Sequence, residues 1–273
     1  MTPDNRILFR NEACIVINKL PGESSEIPPE FPTESPPEVS PAISPEVPQA
    51  EAEGEKFPAA VHRLDMPVSG CLLLAKTQEA TVFLGAAFAN ARVEKHYWAI
   101  VEMPRDANVL PSEGELVHWL SFDPKKNKSF AHDQYRHGRK KAVLRYRIAG
   151  RGERYLFLVI DLVTGRHHQI RAQLAAKGLH IKGDLKYGAA RSEKNGGIRL
   201  HAYSLAFPNP LNPCETIRVT APPPPGPYAF ILSARSFVMS PSMTSSRSPS
   251  MNTGSLYSVS PILWSETRPC GKL

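Results

Sequence analysis

Residues 61–76 read VHRLDMPVSGCLLLAK. The second half, GCLLLAK, is an apolar run of strand length entered through turn residues, the pattern of a strand buried on both faces. The first half sets a permanently charged Arg63 and a short carboxylate, Asp65, two residues apart at the mouth of that strand. Charges at the edge of a core need either a partner or a task. A strand-start ion pair is the plain reading, and the rest of the chain decides against it.

Upstream, ILFRNEACIVINKLPGE (7–23) carries the apolar run CIVI closed by a Pro-Gly turn, a further strand. Downstream, TQEATVFLGAAFANARVEK opens on the capping residue Thr77 and repeats apolar residues at helical spacing (Val82, Phe83, Ala86, Ala87), predicting about three turns of helix. KHYWAIVEM returns to strand. KAVLRYRIAGRGERYLFLVIDLVTG reads as two strands joined by a glycine-containing hairpin, and RHHQIRAQLAAKG as a helix stopped by Gly178. RLHAYSLAFPNP and ETIRVTAPPPP add two strands. Short strands, few helices and hairpin connections make a mixed α/β (α+β) domain over 59–238, with 1–20 supplying its first strand.

Two segments stand outside that pattern. Residues 21–58 hold ten Pro, nine Glu and a single Lys, too little apolar surface to offset the entropy of ordering, and read as a disordered insertion. Residues 239–273 are Ser-rich without periodicity and read as a disordered tail.

The charge is unevenly spread. The chain carries +7 overall, but the insertion alone is −8, which leaves +15 on the remainder. An excess of that size suits a nucleic-acid partner, and equally a basic, solvated surface with no polyanionic ligand. DPKKNKSFAHDQYRHGRKK (123–141) concentrates it, and reads as a charged loop interleaving Lys125, Lys126, Lys128, Arg139 and Lys140 with aromatic Phe130 and Tyr135. Four cysteines without close spacing suggest neither zinc nor a disulfide framework. No apolar run reaches membrane-spanning length and the N-terminus lacks a signal-peptide pattern, so the expected compartment is the cytoplasm and no membrane partner is expected.

Three islands carry reactive side chains: VHRLDMPVSG, EKHYWAIV and TGRHHQIRAQLAAKGLHIKGDLKYG. A carboxylate that acts as a nucleophile must stay ionised, and a nearby guanidinium favours that form. A tyrosine ring can stack on a base while its hydroxyl relays a proton. His167 and His168 invite a metal reading, but neighbours on a helix diverge and no carboxylate stands at ligand spacing.

HRLDMPVSGCLLLAK, EKHYWAIV, KAVLRYRI, GRHHQIRAQLAAKGLHIKGDLKYG and LHAYSLAFPNP occur in the order found in the RluA-type RNA pseudouridine synthases, which the chain resembles over residues 6–230 apart from the insertion. The resemblance implies a single catalytic domain with a bent, mostly antiparallel mixed sheet flanked by helices and loops. It implies isomerisation of specific uridines in structured ribosomal or transfer RNA, with no metal, nucleotide or redox cofactor. It places Asp65 on the nucleophile, Tyr97 on the active-site tyrosine and Arg171 on the basic partner of the aspartate. Arg63 falls on the arginine that helps push the flipped base from the stack. His62, Arg166 and Gln169 come with these motifs as substrate contacts, while Leu72 and Ile170 are either walls of the uracil pocket or core beneath it. The charged 123–141 stretch becomes a candidate contact for the RNA backbone. Val68 and His167 depart from the family, each standing where threonine is frequent. The family's S4 module finds no counterpart, since about six residues precede the first strand, and a monomer is expected. A non-catalytic RNA-binding protein of the same fold is the rival reading.

Overall fold

A computed structural model of the chain describes residues 3–26, 58–104, 111–225 and 228. The insertion expected over 21–58 lies outside the described residues from 27 to 57, as does the Ser-rich tail. Among the described residues are eleven strands: β1 (Ile7–Arg10), β2 (Cys14–Lys19), β3 (Ala59–Ala60), β4 (Ser69–Ala75), β5 (Glu94–Glu102), β6 (Glu113–Asp123), β7 (Lys128–His132), β8 (Lys140–Arg151), β9 (Tyr155–Leu162), β10 (Leu200–Asn209) and β11 (Asn212–Thr220). Two α-helices accompany them, α1 (Gln78–Ala89) and α2 (Gln169–Ala176). The strands form one sheet in the order β1-β2-β4-β10-β5-β9-β8-β6-β7, with β11 on β10 and β3 on β4. The architecture is α+β and mostly antiparallel.

The exception to antiparallel pairing is where Asp65 is mounted. β4 runs parallel to β10 through the pairs Ser69↔His201 and Ala202↔Gly70. Gly70 has φ +116°, and a Cβ on it would come within 2.2 Å of the Ala202 carbonyl oxygen. Only glycine satisfies both the dihedral and the approach. All seven residues of β4 are buried because core covers both its faces. Leu72 and Leu74 join Tyr97, Ile170 and Leu174 on one face, while Cys71, Leu73 and Ala75 join Leu84 and Phe207 on the other.

α1 follows β4 directly. The Thr77 hydroxyl accepts from Ala80 N at 3.2 Å, an N-cap of the kind that contributes about 1 kcal/mol. The face it buries is Ala80, Leu84 and Ala87, and Val82, expected inside, is 64% exposed. A helix apolar nearly all round does not fix its own phase; packing on β4 and β10 does.

The 123–141 stretch is not one loop. It contains β7, which pairs with β6 from Trp119↔His132 to Asp123↔Lys128, and its last residues begin β8. β6 escapes the sequence pattern because polar His118 takes an inward position between Leu116 and Leu120. Nor does the first part of the insertion fall outside the fold. Gly22 N donates to Met66 O at 2.7 Å, and the buried Ser25 hydroxyl both donates to Leu64 O and accepts from Leu64 N. Residues 21–26 are therefore stitched to the loop that carries Asp65. No helix among the described residues is long and apolar enough to cross a membrane.

Candidate active site

Asp65 sits in the turn between β3 and β4, closed by Val68 N donating to Asp65 O at 2.9 Å. Its side chain is 23% exposed and lies in a pocket of about 380 Å³. Arg171, on the third residue of α2, donates from Nη1 to Asp65 Oδ2 at 3.0 Å. The other edge of that guanidinium is gripped bidentately by Asp184, Nε to Oδ2 at 2.7 Å and Nη2 to Oδ1 at 2.8 Å. Burial pulls the Arg171 pKa down, but the two carboxylates more than compensate and raise it, so it is a fixed cation. Because Asp184 immobilises the fork, Arg171 reaches Asp65 with one nitrogen. Asp65 Oδ1 has no protein partner among the described residues and stands open to the pocket.

Two more groups hold the carboxylate's surroundings. Lys19, the last residue of β2, is buried with its ammonium among backbone carbonyls: Val68 O at 2.7 Å, Leu20 O and Met66 O at 3.1 Å, and Asp65 O at 3.4 Å. Burial lowers its pKa to about 8, with Glu23 and Asp65 limiting the fall. It ties the Asp65 turn to the sheet. His168 caps α2 in the left-handed region, φ 52°, with Nε2 3.6 Å from Asp65 Oδ2 and Nδ1 3.0 Å from the Tyr187 hydroxyl. Burial first, then Arg171, depress its pKa to about 3, so it is a neutral imidazole. Since α2 begins only at Gln169, the histidines do not diverge as helix neighbours would; their rings stack at 3.8 Å.

The remaining expected site residues divide. Arg63 is at the pocket mouth, strongly exposed, and pairs with Glu26 at 3.2 Å. Tyr97 lies in the core near Asp65; burial and then the Asp65 charge push its phenol up, so it keeps its proton at neutral pH. Leu72 and Ile170 belong to the same core. His62 points elsewhere: its Nε2 accepts from Leu73 N at 3.0 Å and its ring stacks on Phe88 of α1, while burial lowers its pKa to about 3. Gln169 is also structural, accepting from Thr164 Oγ1 and Arg166 N and donating to Val143 O. Arg166 is exposed and bonds Lys141 O. In both cases nearby backbone groups need partners, and the side chain meets that need instead of facing the pocket.

Lys125 and Lys126 extend from the β6–β7 turn, whose backbone is organised by the Asp123 carboxylate. Lys128 is committed to the Lys186 carbonyl at 2.5 Å and lies over the Tyr187 ring. Arg139 bonds Gln134 O, and Lys140 is exposed at the start of β8. Lys19, His168, Asp184 and Tyr187 do not emerge as site residues from the sequence. The signal for Lys19 is a lysine closing an apolar strand before Pro-Gly, and Asp184 and Tyr187 stand unassigned within GDLKYG.

The pocket thus combines a carboxylate held through one oxygen, a guanidinium locked by a second carboxylate and a rim that carries Arg63 and Lys186. Residues 14–176 match the model of the RNA pseudouridylate synthase family. The chain belongs to this family. It is similar to an uncharacterised RNA pseudouridine synthase of Zymomonas mobilis, 35% identical over 55% of this chain and 67% of the relative. It is also similar to the ribosomal large subunit pseudouridine synthase D of Borreliella burgdorferi, 34% identical over 54% of this chain and 44% of the relative. An uncharacterised RNA pseudouridine synthase of Bacillus subtilis is 31% identical over 80% of this chain and 72% of that protein. Several of the curated relatives are about twice as long as the part this chain spans. The solved human RNA pseudouridylate synthase domain containing 1 shares the fold, with a TM-score of 0.56 at 21% identity over 80% of this chain and 83% of the other.

Proposed function

We propose that the chain converts uridine in structured RNA to pseudouridine, with Asp65 as the nucleophile. The observation that carries this reading is the asymmetry of the Asp65 carboxylate: Oδ2 is held by Arg171, while Oδ1 is open to the pocket. The reaction breaks the bond from ribose to uracil nitrogen and remakes it at carbon 5, so the base must first leave the helix stack, at about a few kcal/mol. Arg63, exposed at the pocket mouth, suits the group that fills the vacated space or holds the flipped nucleotide out. Asp65 then attacks the anomeric carbon, or deprotonates the sugar to give a glycal; the freed uracil rotates and bonds ribose through carbon 5, which gives up its proton while nitrogen 1 gains one. Tyr97 supplies a neutral phenol near the carboxylate, and Arg171 fixes the carboxylate's direction.

RNA backbone contact is assigned to Lys125, Lys126 and Lys140 on the hairpins that adjoin the pocket, with Arg63 and Lys186 at its rim; Lys128 and Arg139 are bonded to backbone carbonyls within the fold. Ribosomal RNA is the favoured class, because relatives named for the ribosomal large subunit are among those the chain resembles. Transfer RNA is the second class to test, and both substrates accord with a cytoplasmic protein.

The test is conversion of transcribed ribosomal and transfer RNA, with pseudouridine located by mass spectrometry. Wild-type protein is expected to form it at defined positions. Asp65→Asn is expected to abolish conversion while RNA affinity stays within a few fold. Persisting conversion in that variant sinks the nucleophile assignment, and full-strength binding at high salt sinks the phosphate-contact reading.

A further inference from the structure

His167 stands where the family frequently has threonine. It lines the same pocket as Asp65. Its Nδ1 lies 3.0 Å from the Ser129 hydroxyl. That hydroxyl is buried and has no other acceptor among the described residues, so it donates to Nδ1 and leaves the ring proton on Nε2. One face of the ring is stacked on His168, and Phe122 of β6 meets it edge-on at 4.5 Å. The ring is thereby held on three sides, and Nε2 has no protein partner among the described residues.

The charged groups that face this ring are Asp65 and Arg63 from the catalytic turn, Arg171 from α2 and Lys186 from the turn Leu185–Tyr187. Burial is the largest influence and lowers the His167 pKa, with the three cations adding to it and Asp65 opposing. His167 is therefore a neutral donor set among ions. A phosphate would be served better by the arginine and lysines at the rim, whereas a neutral N–H suits an uncharged acceptor.

We infer that His167 is a positioning residue for the flipped uridine, its Nε2–H donating to a uracil carbonyl or ribose hydroxyl beside Asp65. This rests on the proposed function. It also gives the β6–β7 hairpin a route into the site, since Ser129 and Phe122 both belong to that hairpin and together set the angle of the ring.

The test uses side chains that copy one nitrogen each. Asparagine reproduces Nδ1 and keeps the Ser129 contact; glutamine reaches the position of Nε2. The full chain is assayed with RNA that the wild type converts, alongside His167→Asn, His167→Gln, His167→Phe and Asp65→Asn. His167→Asn and His167→Phe are expected to lower kcat/KM about tenfold, the effect of removing one hydrogen bond, and His167→Gln to recover activity to within about threefold of wild type. The melting temperature of His167→Asn, which keeps the Ser129 contact, is expected within a few degrees of wild type, and those of His167→Gln and His167→Phe, which leave that hydroxyl without its acceptor, several degrees lower. Removing the 2′-hydroxyl of the target uridine distinguishes the two acceptors. A decrease that does not add to that of His167→Asn assigns the hydroxyl, and an additive decrease assigns a uracil carbonyl. Activity kept by His167→Asn but abolished in His167→Gln would mean a purely structural role and overturns the inference. Unchanged activity in all three overturns it as well, while an inactive Asp65→Asn beside them leaves the proposed function standing. Absence of turnover by the wild type overturns both.

Discussion

Arg171 is the residue on which the geometry of the Asp65 carboxylate turns, and Asp184 decides what Arg171 can do. Held bidentately by Asp184, the guanidinium spends one nitrogen on Asp65 and cannot rotate to clasp both of its oxygens. Asp184→Asn removes the grip, so Arg171 is expected to close on Asp65 as a fork and occupy Oδ1. Single-turnover conversion should fall about a hundredfold with RNA affinity little changed. Stability should fall by roughly 2 kcal/mol, less than for a fully unpaired buried charge because Asp65 remains. Lys19 acts by a different route. Lys19→Met fits the space but leaves several buried carbonyls without their donor, and is expected to cost about 2–4 kcal/mol, a drop in melting temperature of roughly 5–12 °C. A Lys19→Met protein as stable as wild type would show that water replaces the ammonium.

At the scale of elements, the β6–β7 hairpin serves the site with its inner residues and faces solvent with its tip. Lys128 is tied to the turn at Lys186, and Lys186 Nζ returns a bond to Asn127 O at 3.2 Å, so the hairpin is docked against the pocket rim. Lys125 and Lys126 project from the same tip and are the proposed phosphate contacts. Replacing both by Glu is expected to weaken RNA binding and make the plot of log affinity against log salt shallower by about one for each phosphate no longer neutralised. A slope equal to that of wild type would place the RNA elsewhere. This hairpin also marks the limit of what the sequence discloses. β4 and α1 are legible because an unbroken apolar run and a Thr cap each have one meaning. β6 is not, because His118 breaks the alternation and finds its buried partner, Gln173, 55 residues further along the chain. The site follows the same division. Asp65 and Arg171 can be found from motifs, whereas Asp184, Tyr187 and Lys19 acquire meaning only through neighbours that the fold brings close. His62 and Gln169 sit inside motifs yet are spent on backbone partners, which proximity in sequence does not reveal.

For the whole molecule, the buried histidines set the acid limit. His168 and His62 sit near 3 and His201 near 4, each lowered chiefly by burial, against about 6.5 in an unfolded chain. Between those values the unfolded chain binds protons that the folded chain refuses. Stability is therefore complete above about pH 6.5 and declines as pH falls toward 4, at up to about 1.4 kcal/mol per pH unit for each such group. Thermal melts from pH 7 to pH 5 are expected to show this slope, and His201→Gln to flatten it. A melting temperature independent of pH over that range would mean that these rings gain protons in place.

The parallel pairing of β4 with β10 carries a kinetic consequence. Ser69 and His201, joined by a 2.9 Å hydrogen bond, are 132 residues apart in the chain, and Asp65 and Arg171 are 106 apart. Pairings of such separation are slow to form, since the intervening chain must first surrender its freedom. Asp65, the proposed nucleophile, thus stands beside a pairing that spans a long stretch of chain. During synthesis the N-terminal half carries Asp65 for the whole time that β10 has yet to emerge. In refolding, recovery of conversion should accordingly coincide with the slowest phase seen by tryptophan fluorescence, well after most of the sheet has formed.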